Sequence, residues 1–197
     1  MPGGARALSN VPFGLAIAAG LQGAWLMARA RPYGLLLFET TPAGAARSFL
    51  ALVFCLPVHL VLRFSAPSGP VVPPRVLMLE VLGFIIMWFG FLLLSHRLAS
   101  AIGREDHWPR FLAAWNWSQV VQYAALFLVT VPLAVLGVPS GISQALGLAV
   151  FGYAIWLEWY VVRLSLGLPG VGAAGFVLLD LAMAVIVSGI VQRLSAS

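Results

Sequence analysis

Three carboxylates, Glu80, Glu158 and Asp180, stand inside stretches of sequence apolar enough and long enough to cross a bilayer. A charge at that depth is costly and is usually paired, neutralised or turned to water, so these are the positions at which chemistry is to be sought. Each has its own polar neighbourhood. His59 lies about one turn before the end of one apolar run, Glu80 a little over one turn into the next, and Arg63 one turn beyond His59. A tight hairpin brings the three to one height, where His59 or Arg63 offsets much of the cost of burying the Glu80 carboxylate. The group reads in two ways: a proton-carrying pair, because histidine titrates near neutrality, or a clasp between two helices.

A second group follows from helical spacing. Asn116, Gln119 and Tyr123 recur every three or four residues and share a helix face, within a segment that also holds Trp115, Trp117, Ser118 and Gln122. A short turn separates this helix from the next, so the face is expected to meet Glu158 and Tyr160, with Arg163 five residues beyond Glu158 reaching back. Interhelical bonds from such groups contribute about 0.6–2 kcal/mol each. They read as glue between helices, or more sharply as the lining of a polar cavity. Asp180 differs because it lies near the middle of the last apolar run, where snorkelling cannot rescue it. Its candidate partners are Tyr123 or Gln122, and it is either a hydrogen-bonded structural residue or a transport residue.

Several chemistries have no support. There is no GxxxxGK[ST] loop, HExxH, CxxC or paired-histidine ligand set. Ser140 and Ser143 border a turn without a histidine or acid placed to activate them, and His96 and His107 flank Glu105 and Asp106 in what reads as a solvated loop. No metal, cofactor or enzyme activity is therefore expected. A lipid-facing enzyme using a lone Asp or His is the third function class, behind a scaffold and a transporter.

The elements that must hold these residues are set by composition. The 197 residues are 61% hydrophobic and only 9% charged, with a mean hydropathy of +1.00, where a soluble domain carries roughly 25% charged residues. The net charge of +5 comes from 11 basic residues, all arginine, scattered between apolar runs rather than gathered into a stripe. That pattern argues against nucleic acid and for membrane topology signals. The single cysteine, Cys55, excludes an internal disulfide and reads as an inert core thiol.

A hydrocarbon core of about 30 Å needs roughly 20 apolar residues in a helix. Residues 76–95 meet this, with Glu80 as the one charge. Residues 111–157 hold 47 uncharged positions, divided by Gly137-Val138-Pro139-Ser140-Gly141 into two spans, the second continuing to Arg163. Residues 171–192 form another, with Gly167, Gly170, Gly172 and Gly175 marking a tight turn and a close helix approach at its start. Residues 48–62 number only 15 but span if Arg47 and Arg63 snorkel. Thr41 is an N-cap with Pro42 at the first helical position, and the prolines at 67, 70, 73 and 74 form a stiff connection.

Residues 12–28 carry Phe13, Ile17, Leu21 and Trp25 on one side and mostly Gly and Ala on the other. They are expected to form an interfacial amphipathic helix or one packed on the bundle, with a sixth span and a signal peptide as alternatives. The expectation is thus an all-α membrane bundle of five spans (47–197) behind an N-terminal segment (1–46). With the N-terminus inside, eight arginines are cytoplasmic and three lie outside, which the positive-inside rule favours. Trp108, Trp115, Trp117, Trp156 and Trp159 then fall at one aromatic belt.

The segments Phe38-Glu39-x-Thr41-x-x-Gly44-x-x-Arg47-Ser48-Phe49, Ala114-Trp115-Asn116-Trp117 and Glu158-Trp159-Tyr160-x-x-Arg163 resemble those of small uncharacterised bacterial five-span proteins, distantly similar to the Yip (Ypt-interacting protein) family. The resemblance implies a cytoplasmic N-terminal region, a five-helix bundle and a non-enzymatic role in membrane organisation. It carries over no functional residue. The expected function is a scaffold or accessory subunit of the bacterial inner membrane, whose partners are the lipid bilayer and other proteins or a second copy of itself. The alternative is a small proton-coupled permease using Asp180, Glu158 and Glu80. Labelling of single cysteines introduced at the two termini is expected to place them on opposite faces of the membrane; the same face for both would mean six spans.

Overall fold

A computed structural model of the protein describes residues 13–64 and 73–196. The described residues form helices and turns, with no strand among them. Helix α1 covers Phe13–Ala28 and leads through a 3-10 turn, Pro32–Leu37, into the short α2, Pro42–Arg47. The remaining helices are α3 (Leu50–Phe64), α4 (Pro74–Ala101), α5 (Trp108–Val135), α6 (Ser140–Ser165) and α7 (Gly170–Ala196).

Five segments are long and apolar enough to cross a membrane: α2 with α3, α4, α5, α6 and α7. The first is longer than residues 48–62 because it starts at Pro42, where the Thr41 hydroxyl accepts a hydrogen bond from the Gly44 amide at 3.1 Å. Helix α4 likewise starts earlier than expected. Pro73 is extended and Pro74 occupies the first turn, where a proline lacks only a donor that would be unpaired anyway. The rest of the proline-rich connection, with Pro67 and Pro70, lies outside the described residues. The α5–α6 and α6–α7 turns each pass through a left-handed glycine, Gly137 at φ +63° and Gly167 at φ +62°.

Helix α5 is the central post, contacting α1, α2, α3 and α6, while α7 packs on α4 and α6. The α4–α7 seam is close because Gly83 has no side chain: a Cβ there would stand 2.7 Å from Val191 Cγ2. By contrast α4 makes few contacts with α3 and α5, and that loose seam leaves space inside the bundle. At the start of α7, Gly170 backs onto Trp159, whose indole N–H donates to the Gly170 carbonyl at 2.8 Å; Gly175 faces open space and takes no part in a close approach.

Helix α1 has 16 residues, about 24 Å at 1.5 Å per residue, shorter than a bilayer core of about 30 Å. It packs on the bundle by its small-residue side: Gly20 lies flush on the Trp117 indole, and Ala24 and Met27 are fully buried. Leu21 and Trp25 face outward. The Tyr153 hydroxyl ties its end down, donating to the Ala28 carbonyl at 2.6 Å. This corrects the tryptophan belt. Trp115 and Trp117 are buried within the bundle, because α1 and α4 cover the α5 faces that carry them, while Trp108, Trp156 and Trp159 stay half-exposed at its edge.

Outward from the interior, Leu93, Leu128, Leu148 and Val185 are strongly exposed, as lipid-facing positions are. Replacing Gly83 by leucine is expected to lower stability in detergent by about 1–3 kcal/mol through overpacking. Gly147→Leu, where a Cβ meets nothing within 4 Å, leaves the melting temperature unchanged. Equal melting of the two variants would remove the close α4–α7 seam.

Candidate functional site

Glu80 enters the bundle from the second turn of α4 and is met by residues from the last turns of α3. Arg63 Nε donates to Glu80 Oε1 at 2.6 Å, and His59 Nε2 lies 3.9 Å from Glu80 Oε2. The hairpin height match expected from sequence is therefore realised. The arginine is nearly half exposed while the carboxylate is buried, so the guanidinium spans from the rim to the interior. His59 also approaches Tyr123 of α5, its Nδ1 3.4 Å from the hydroxyl. Its Nε2 is buried and makes no hydrogen bond among the described residues.

Asn116 does not meet Glu158 or Tyr160. Its Nδ2 donates to the Ser48 hydroxyl at 2.7 Å, and its Oδ1 accepts from the Trp88 indole N–H at 3.0 Å. The Ser48 hydroxyl in turn donates to the Ala45 carbonyl at 2.7 Å. This chain joins α4, α5 and α2 through fully buried polar groups, satisfied as burial requires. Spacing placed Asn116 on a face with Gln119 and Tyr123, but the face is wide. Asn116 lies at its α2–α4 side and the other two point into the bundle. Trp88 was legible as a signal: an indole in the middle of an apolar span needs an acceptor at that depth. Ser48, at the edge of a span, gave no such cue.

Arg163 does not reach Glu158 either. It lies at the exposed edge of α6 with its guanidinium 5.2 Å from the Trp159 ring centroid, a cation–π contact. Glu158 is buried at the junction of α5, α6 and α7, and its Oε1 has no hydrogen-bond partner among the described residues. Its electrostatic neighbours are Asp180 of α7 and Trp115 of α5. The Trp115 indole N–H, the hydrogen-bond donor that neighbours this carboxylate, is buried and has no other partner among the described residues. The two acids that the apolar runs separate are thus brought together, with no ion pair to a cation among the described residues.

Asp180 is half-buried and opens on a cavity of about 180 Å³ between α4, α5 and α7, shared with Trp88, Trp115, Gln119 and Tyr123. Gln122 is not part of that cavity. It lines a second one of about 390 Å³ between α3, α5 and α6, together with His59, Gln119 and Tyr123. A third, of about 360 Å³, lies between α3, α4, α5 and α7 and holds His59, Arg63, Glu80 and Tyr123. Tyr123 borders all three. The polar interior therefore runs from Arg63 and Glu80 through His59, Tyr123 and Gln119 to Asp180, beside which Glu158 is buried.

Elsewhere, His96 Nε2 lies 3.6 Å from Glu105 in the α4–α5 turn, and no group of three or more metal-ligating side chains gathers among the described residues. Cys55 is buried and free. Glu39 pairs with Arg47 beside the Thr41 cap.

The fold and its apolar surface define a polytopic integral membrane protein with five helices of spanning length and a polar interior. No protein-family model, curated protein or solved structure matches the chain, so the function is read from the geometry. Asn116→Leu is expected to cost about 1–3 kcal/mol, because it leaves the buried Trp88 indole N–H without an acceptor. Ser48→Ala strips two bonds, the one Asn116 donates and the one to the Ala45 carbonyl, and is expected to cost a similar amount, about 1–3 kcal/mol. Denaturation in mixed micelles checks both; an Asn116→Leu protein as stable as the parent would remove the clasp.

Proposed function

We propose that the protein is a small proton-coupled permease of the bacterial inner membrane, with its N-terminus cytoplasmic. One observation supports this reading above the others. Two neighbouring acids, Glu158 and Asp180, have no basic partner among the described residues, and Asp180 lines one of three cavities that meet at Tyr123. A bundle built only to hold helices together gains nothing from unpaired carboxylates, which cost several kcal/mol when desolvated. A bundle that carries protons needs such groups, placed in sequence and reachable by water. Asp180 and Glu158 act as the proton-binding pair, Tyr123 and His59 as the hydrogen-bonded link, and Glu80 with Arg63 as the opposite mouth. The arginine count favours the Trp108–Arg163 end as the cytoplasmic one.

A second reading, a scaffold or accessory subunit akin to Yip-type proteins, is favoured by the Trp88–Asn116–Ser48 chain and the Arg63–Glu80 pair. These account for several buried polar groups as interhelical bonds. A stable partner recovered with the protein from native membranes supports that reading.

The two part company over the acids. In proteoliposomes loaded with a pH-sensitive dye, an imposed proton gradient is expected to dissipate at least about tenfold more slowly with Asp180→Asn or Glu158→Gln, a barrier change of about 1.4 kcal/mol. Melting temperatures of the variants establish that they are folded. Variants that keep full flux, or a parent protein with none while the acids affect only thermal stability, overturn the permease reading.

A further inference from the structure

The cavity at the Glu80 mouth has a composition that suits a particular kind of solute. It lies between α3, α4, α5 and α7 and measures about 360 Å³, at the small end of ligand sites. At roughly 30 Å³ each, the share of a water molecule, it has room for about a dozen non-hydrogen atoms. One wall is polar: Arg63 and Glu80 in contact at 2.6 Å, the unbonded Nε2 of His59, and the Tyr123 hydroxyl. The other is mainly apolar, formed by Phe84, Met87 and Val187, with Ser188 and Gln192 of α7 at its exposed side.

We infer that this cavity binds a small zwitterion bearing adjacent ammonium and carboxylate groups and an apolar side chain, the chemistry of an aliphatic α-amino acid. The inference rests on the permease reading for its role as substrate, and on the cavity alone for binding. The Arg63–Glu80 pair offers one positive and one negative group side by side. A ligand with both charges opens the pair by placing its carboxylate on Arg63 and its ammonium on Glu80, so each charge stays compensated.

A ligand with one charge cannot do this. A lone carboxylate on Arg63 leaves the buried Glu80 without its partner and sets two anions side by side. A lone amine on Glu80 releases Arg63 and adds a net positive charge to an apolar interior. The apolar wall then receives the side chain, which separates an aliphatic amino acid from glycine. The closeness of α4 and α7 at Gly83, where a Cβ would meet Val191, bounds the cavity on its fourth side.

The test uses the full chain in lipid nanodiscs and isothermal calorimetry with four probes: leucine, glycine, isoamylamine and 4-methylvalerate. Leucine is expected to bind at least about tenfold more tightly than each of the other three, equivalent to about 1.4 kcal/mol. Arg63→Gln and Glu80→Gln lose leucine binding, as does Ala184→Phe, which fills the cavity without touching the charged pair. The double variant R63Q/E80Q removes both charges together and keeps the effect readable if either single variant fails to fold. Isoamylamine or 4-methylvalerate binding as tightly as leucine, binding unaffected by the variants, or no binding of any probe overturns the inference. Leucine binding without uptake under a proton gradient leaves the site standing and removes the permease reading. Proton flux without leucine binding does the reverse.

Discussion

A carboxylate held inside an apolar bundle must be paired, hydrogen-bonded or reached by water, because nothing in hydrocarbon replaces its hydration. The three interior acids meet that constraint in different ways, and much of the architecture follows from how. Glu80 is paired: α3 ends in an arginine long enough to reach from the rim to the second turn of α4, so the first hairpin closes on a charge-assisted bond. Glu158 and Asp180, on α6 and α7, are electrostatic neighbours with no ion pair to a cation among the described residues. Asp180 opens on a cavity that it shares with Gln119, Tyr123 and Trp115, while Glu158 is buried away from it beside Trp115. A tighter α4–α5 seam would fill that space and strand Asp180.

The distribution of small and large residues sets where the bundle is tight and where it is loose. Gly83 lets α4 lie against α7, and Gly20 lets α1 lie against Trp117 on α5. With α4 drawn to α7 and α5 held by α1, α3 and α6, packing is incomplete between α4 and α5 and between α3, α5 and α6. Polar groups collect there for the same reason that apolar ones do not: a void lined by hydrocarbon forfeits dispersion contacts, whereas one lined by hydroxyl, amide and carboxylate groups admits water. The Trp88–Asn116–Ser48 chain closes one flank of this region with every buried member bonded. Polar residues in this protein therefore fall into two kinds. Some are fully satisfied and hold helices together; others retain unused bonding capacity beside open volume.

Much was legible from sequence because bilayer length is a strong filter. Five apolar runs, the Thr41 cap with Pro42, the turn at Gly137 and the hairpin pairing of Glu80 with His59 and Arg63 all follow from periodicity, chain length and local turn chemistry. Helix faces were less legible. Residues at three- and four-residue spacing share a side of about a third of a turn or more, wide enough to contact two neighbours, so Asn116 and Gln119 ended in different environments. Leu21 and Trp25 of the apolar stripe on α1 point outward for a related reason, while Ile17 packs on the core. Where the surroundings are also apolar, close contact goes to the small side and hydrophobicity no longer identifies the buried face.

The amino-acid sequence by itself determined the class of protein, five apolar runs of spanning length, their approximate bounds and which ionisable residues would lie at depth, because these depend on runs of residues along one chain. The tertiary structure alone decided what those residues face. Arg163 sits five positions from Glu158, yet it turns outward onto Trp159, while Asp180, on a different helix, is the acid's neighbour. A side chain's direction is set by the rotation of its helix about its own axis. That rotation comes from how several helices pack at once, and no spacing within a single segment records it.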